Sequence, residues 1–275
     1  MFKHKGKEYN SKKFPILENI FNRYYNEQKS QSNIEFTLKD ISTAYSNCGI
    51  KEPASISNTI LDLTRKKNTI QQRLPQSIIN LGYDLRKKTG KNGRGDRLAG
   101  EFVYVGLGNE IDSWLIFPDQ PDDTIEIDNI VPPIIQKKDL LSNDEAAMFS
   151  VIDYCDVLTK VIYPDRQNVV IRVQNPKKWQ PNEIDGLYID SQTQELYPCE
   201  AKALSTKDDI NLEQMWGGYK TVLGKIPGKN VTPLALVMKN YGLDIGFLSP
   251  NQSNDGLVLK KYIKVEIKPE ILSWK

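Results

Sequence analysis

Residues 195–204 read ELYPCEAKAL, and two charges near the end of this run constrain the fold more than any other feature of the chain. The run is short, apolar and rich in residues that suit a strand buried in a sheet. Successive strand side chains point to opposite faces. Glu200 and Lys202 therefore share one face, while Cys199, Ala201 and Ala203 share the other. An acid and a base withdrawn from water are costly unless other charges or hydrogen bonds compensate them. The upstream run EIDGLYI (183–189), followed by the turn formers DSQTQ, predicts a hairpin with 195–204. That pairing can set Asp185 across from Glu200, with Gly186 leaving room for a ligand. Two carboxylates at one point suit a hard divalent ion such as Mg²⁺, which takes oxygen ligands and retains waters. Glu183, on the same face as Asp185, is an alternative ligand. A purely structural Glu200–Lys202 pair at a sheet margin also fits the spacing.

Composition narrows the chemistry. With 275 residues, 39% hydrophobic and 26% charged, the chain has the balance of a folded, soluble protein. No apolar run approaches the roughly 20 residues that span a bilayer, so no membrane association is expected. The basic N-terminus lacks an apolar segment behind it, and three scattered cysteines form no disulfide framework, which makes the cytoplasm the expected compartment. The single histidine, His4, falls in what reads as a loose tail. Catalysis by Ser-His-Asp or Cys-His sets, and zinc held by histidines, all need an imidazole fixed in the fold. The Gly-rich stretch GGYKTVLGKIPGK (217–229) lacks the phosphate-loop spacing. What remains is carboxylate, lysine and hard-metal chemistry.

The chain divides near residue 110. Helical spacing predicts helices over 14–27, over 38–47 with Thr37 as cap, and over 53–67 beginning at Pro53, with the short strand IEFT (34–37) between the first two. The last two helices, joined by a Gly-containing turn, form a helix-turn-helix pattern. The outer face of the second holds Ser55, Asn58, Thr59, Arg65 and Lys66, which can bond bases and phosphates. A solvated helix face is the plainer reading of the same residues. Residues 83–105 then read as a basic hairpin carrying Arg86, Lys87, Lys88, Lys91, Arg94 and Arg97. The helix pair and hairpin together resemble a winged helix, whose wing touches the DNA backbone. Residues 111–138 are Pro-rich and acidic and read as a linker with room for one strand.

From residue 139 onward the pattern is helix, three strands, helix, strand. Ser142 to Glu145 fits a capping box ahead of AAMFSVIDYCDVLTKVIY, and strands are expected at 168–175, 183–189 and 195–204. A helix over INLEQMWGGYKTVLG and strands at 231–239 and 257–268 complete it. This is an α/β arrangement around a mixed sheet.

Glu145, Asp185, Glu200 and Lys202, in that order on those elements, resemble the PD-(D/E)XK nuclease superfamily. The likeness covers roughly residues 140–250, although Ile184 rather than proline precedes Asp185. It implies a restriction-endonuclease-like α/β/α catalytic domain with a mixed sheet at 139–275, behind a winged helix-turn-helix domain at 1–110. Asp185 and Glu200 become the Mg²⁺ ligands, and Lys202 the residue that stabilises the attacking hydroxide and the charge on phosphorus. Glu145 either closes a helix end or joins the metal site. Gln214 is similar to a family glutamine that positions substrate, with Tyr219 one place later than the usual tyrosine. An appended winged helix is similar to certain type II restriction endonucleases. That resemblance implies sequence-specific hydrolysis of double-stranded DNA to 5′-phosphates, a homodimer and a cognate DNA methyltransferase partner. The alternatives are a DNA-binding regulator with a non-catalytic second domain, and a repair or transposition nuclease of the same superfamily.

Overall fold

The computed structural model describes the chain apart from residues 1, 26–30, 66, 67, 89, 112, 138, 139, 174–178, 180, 181, 183, 205–208, 253 and 275. It divides into two compact units, Met1–Ser113 and Trp114–Lys275. Among the described residues no helix is long and apolar enough to cross a membrane.

The first unit opens with a hairpin of β1 (Phe2–His4) and β2 (Lys7–Tyr9). His4 is thus a strand residue rather than part of a loose tail. The hairpin is fastened by Tyr9, which packs in the core and donates to Glu18 at 2.6 Å. Then follow α1 (Phe14–Tyr24), β3 (Ile34–Thr37), α2 (Leu38–Cys48), α3 (Asn58–Leu63), α4 (Ile70–Arg73), α5 (Gln76–Ile79), β4 (Tyr83–Lys87) and β5 (Leu98–Tyr104). The last two strands and β3 form an antiparallel sheet in the order β3-β5-β4. Helix α2 starts where its sequence says it should. The Thr37 hydroxyl accepts from the Asp40 amide, the Asp40 carboxylate accepts from the Thr37 amide, and Gly49 ends the helix at a φ of 63°.

Helix α3 is shorter than expected and begins at Asn58, not Pro53. Ahead of its first turn the Ser55 and Ser57 hydroxyls bond each other at 3.0 Å. At the other end Asn68 donates to the carbonyls of Asp62 and Leu63 and closes the helix after two turns. The core is aromatic: Phe21 meets both Tyr83 and Phe102 edge-on at 5.1 Å. Beneath the sheet lies a buried ion pair. Arg73 donates to both oxygens of Asp84, at 3.0 and 2.6 Å, and Asp84 also accepts from the amides of Leu85 and Ile111.

The second unit is a seven-stranded mixed sheet with helices on both faces. Its elements are β6 (Asp123–Asp128), α6 (Glu145–Tyr154), α7 (Val157–Ile162), β7 (Val170–Arg172), β8 (Gly186–Asp190), β9 (Leu196–Lys202), α8 (Leu212–Lys225), β10 (Leu234–Lys239), β11 (Gly242–Pro250) and β12 (Leu257–Lys268). The spatial order is β6-β12-β11-β10-β9-β8-β7. Strands β7, β8 and β9 run antiparallel in turn, α8 carries the chain over, and β10 lies parallel to β9. Helices α6 and α7 pack on the face bearing Cys199, Ala201, Leu234 and Leu236. Helix α8 packs on the other, with Met215 and Trp216 against Ala235 and Val222 against Leu187.

Several sequence expectations change here. The 111–138 stretch contains the one strand it had room for, since β6 pairs in parallel with β12, and Ile127 and Val131 are buried in the core. Its acidic, proline-flanked composition is that of an edge strand, which must discourage further pairing. Strand β11 lies in a segment that carried no strand expectation; its glycines, Asp244 and Pro250 blur the alternating pattern. The helix expected through AAMFSVIDYCDVLTKVIY (146–163) breaks at Cys155, with Asp156 at a φ of 50°. Its cap is Asp144, whose carboxylate accepts from the Ala147 amide at 2.8 Å, and not Ser142.

Gly186 is fixed by packing. A Cβ there would stand 2.6 and 2.7 Å from ring carbons of Phe149, a buried residue of α6. Gly186→Ala should therefore destabilise the protein by about 1–3 kcal/mol in urea unfolding. The same change made in a Phe149→Leu background should cost less than half as much. Equal costs in both backgrounds would show that the ring is not what forbids a side chain.

Candidate active site

The β8–β9 register joins Gly186 to Cys199 and Leu187 to Pro198, and one further step sets Asp185 opposite Glu200. Residues directly opposite in an antiparallel pair share a face. One oxygen of Asp185 accepts from the Ala201 amide at 2.9 Å, which fixes the carboxylate at the strand edge. The two carboxyl groups stand close enough for the charge of Asp185 to act on Glu200. Lys202 Nζ lies 2.7 Å from Glu200 Oε1, and Gln214 Nε2 donates to Glu200 Oε2 at 2.9 Å. Gln214 reaches that oxygen from the first turn of α8, where Asn211 caps the helix by accepting from the Gln214 amide at 3.0 Å. Glu145, the first residue of α6, interacts with the charges of both Asp185 and Lys202. The five residues singled out from the sequence thus come together around Glu200.

Three acids and one ammonium in a half-buried space set each other's protonation. Burial, and then the charge of Asp185, push Glu200 up to about 7, with Lys202 pulling the other way. Glu145 is also raised, by burial first and by Asp185 second. Burial alone would lower Lys202, but Glu200, Asp185 and Glu145 outweigh it and hold the ammonium in its charged form.

This donor set fits a hard divalent cation. A buried carboxyl group that holds a proton near neutrality, first through burial and then through its acidic neighbour, would be relieved by a shared positive charge, and oxygen-only ligation is what magnesium takes. Asp185 and Glu200 would hold it. Among the described residues no three carboxylate, thiol or imidazole groups are close enough to cage an ion unaided. The remaining positions would fall to water and substrate oxygens. Beside the acids, Ile184, Pro198, Met215, Gly218 and Pro233 line a small recess. Trp216 is buried in the core beneath α8, and Trp179 packs partly buried near Ile184.

The sequence did not single out Asn182, on the approach to Asp185. Its amide donates to the Gly217 carbonyl and the Thr221 hydroxyl of α8, and a Cβ on Gly217 would stand 2.8 Å from it. The adjacent glycines in an otherwise helical segment were the signal for this close approach. Asp190 is a turn residue, accepting from the Gln192 and Thr193 amides and the Tyr163 hydroxyl.

The residues expected on DNA divide differently. Ser55, Asn58, Lys91, Arg94 and Arg97 are exposed. Thr59 is buried against Tyr45 and so cannot face DNA. Arg65 is exposed but pairs with Asp62 at 2.9 Å. Arg86 and Lys88 are engaged within the unit, both with the buried Glu101, and Lys88 also with Glu35. Lys87 is half-buried. The cationic density of the hairpin therefore resides at its tip. Lys66 and Glu183, and the scattered Lys177, Lys178 and Lys207, lie outside the described residues.

Comparison with family models, curated proteins and solved structures gives no match, so the site is read from its own chemistry.

Between its ordinary value and about 7, the folded state of Glu200 holds a proton that the unfolded chain has released. The metal-free protein should lose stability as pH rises through this window, by an amount on the order of 1–3 kcal/mol. A cation needs the ionised carboxylate, so excess Mg²⁺ should raise the thermal midpoint more at about pH 8 than at about pH 5.5. Asp185→Asn should remove the difference. Equal shifts at both pH values would rule out this pair as the cation site.

Proposed function

We propose that the chain is a magnesium-dependent DNA endonuclease, with a PD-(D/E)XK catalytic unit following a winged-helix DNA-binding unit. The observation that carries this reading is the meeting of Asp185 and Glu200 on one sheet face, with Lys202 2.7 Å from Glu200. The succession α6-β7-β8-β9-α8-β10, with β10 parallel to β9, supports it. So does the first unit, where a helix, a strand, four helices (the last three of them short) and a two-stranded hairpin follow one another and the first of these strands pairs with the last.

A bound magnesium ion supplies positive charge beside the scissile phosphate and makes water more acidic. The chain's residues do the rest. Asp185 and Glu200 orient their oxygens toward a common point. Gln214 holds one Glu200 oxygen and leaves the carboxylate in a single orientation. Lys202, kept charged by its acidic surroundings, offers donors to the attacking oxygen and to charge developing on the phosphate. Glu145 adds a third carboxylate at the margin, within electrostatic reach of Asp185. The exposed hairpin cations Lys91, Arg94 and Arg97 contact the DNA backbone, and Ser55 and Asn58 are placed to meet base edges or phosphates.

As a type II restriction enzyme the protein would cut both strands to 5′-phosphates, act as a homodimer on a symmetric site and accompany a methyltransferase. The test is a plasmid digest in Mg²⁺ and in EDTA. Discrete fragments are expected with metal alone. Lys202→Ala should lower the rate about 10²–10³-fold while DNA affinity measured in EDTA changes less than about twofold. A wild-type protein that shifts DNA and never cuts it would favour the regulator, and a Lys202→Ala variant that cuts at full rate would remove Lys202 from the chemistry.

A further inference from the structure

The first residues of the second unit make specific contacts. Leu115 donates its amide to the Ile210 carbonyl at 3.0 Å, and Trp114 forms an antiparallel bridge with Asn211. Leu115 and Ile210 are buried in one cluster with Met215 and Trp216 of α8, and Phe117 packs on Tyr262 at 4.8 Å. The segment that leaves the first unit is thus laced to the loop that caps α8. Asn211 accepts from the Gln214 amide, and Gln214 donates to Glu200. One unbroken series of contacts runs from the junction at Ser113–Trp114 to a carboxylate of the candidate site.

From this series we infer that Asn211 and Leu115 are positioning residues which set the metal affinity of the site through Gln214. The inference rests on the reading of Asp185 and Glu200 as cation ligands. It follows from three features. Asn211 fixes the first turn of α8, and the first turn sets where the Gln214 side chain starts. Gln214 is the one donor outside β9 recorded on Glu200 Oε2 among the described residues. Trp114 bridges Asn211 itself and Leu115 holds the neighbouring Ile210 carbonyl, so both fix the backbone of the cap. Groups that orient metal ligands commonly alter affinity when removed, without touching the ion.

The test uses the full chain and Mn²⁺ as a probe, with binding read by calorimetry and cleavage read as the half-saturating Mg²⁺ concentration. Asn211→Ala and Leu115→Ala should each weaken Mn²⁺ binding about threefold to tenfold and raise the half-saturating Mg²⁺ by a similar factor. Asn211→Ser, which keeps an oxygen for the cap, should stay within about twofold of the wild type. In a Gln214→Ala background, Asn211→Ala should have no further effect on Mn²⁺ affinity, whereas general loosening of the fold would add to the loss. Asp185→Asn serves as the control for the site. If it binds Mn²⁺ as the wild type does, the cation site is misassigned and the inference goes with it. If Asp185→Asn abolishes binding while Asn211→Ala leaves it unchanged, or adds its full effect to Gln214→Ala, the site stands and the positioning role is overturned.

Discussion

A single ammonium, that of Lys202, stands among the carboxyl groups of Glu145, Asp185 and Glu200, and the second unit is organised to hold this imbalance in place. One cation does not neutralise three acids at this degree of burial, so Glu200 retains a proton near neutrality. A protein built only for stability would gain by replacing such a cluster with apolar side chains. Here the surroundings do the opposite. A backbone amide fixes Asp185, a side-chain amide fixes Glu200, and a glycine lets β8 lie close on Phe149. The acids are kept and their geometry is fixed, which is the condition under which a cation would find a prepared environment.

The two faces of the sheet divide the labour. The face under α6 and α7 packs Cys199 and Ala201 in the main apolar core, with Asp153 bonded to the Tyr188 hydroxyl beside them, and fixes β9 in the middle of the sheet. The opposite face carries the charges and meets α8 through its first turn and its paired glycines. Because side chains alternate along β9, residues one apart serve these two purposes without compromise. In the first unit a similar economy appears in Glu101, which draws Arg86 and Lys88 to the base of the hairpin and leaves its tip to face outward.

The site was readable in the sequence because its determinants are local. The Glu200–Lys202 spacing, the turn after Asp190 and the hairpin pairing all follow from strand alternation and turn chemistry, and they place Asp185 without long-range information. Thr37 and Gly49 likewise announce the ends of α2. What the sequence did not reveal depends on distant partners. Thr59 looks like an outward polar residue until Tyr45 is packed upon it. Arg86 and Lys88 look like free cations until Glu101 is brought across the sheet, and Asp84 looks like a surface acid until Arg73 closes on it. Strand β11 was obscured by glycine and aspartate, whose propensities oppose the strand that the sheet imposes. The acidic composition of the 111–138 stretch left room for a strand, but composition describes solvent exposure and did not say that this strand, β6, would pair with the distant β12.

That edge strand has a bearing on how the chain can be cut. β6 comes from the start of the second unit and lies along β12, from its end, so the two extremities of the unit are stitched side by side. A fragment begun at 139, where the sequence suggested that the catalytic domain starts, would strip β6 from its neighbour and bare the long ladder of β12. Anyone excising this unit for separate work should start upstream of Trp114, or expect an adhesive sheet margin in place of a folded one.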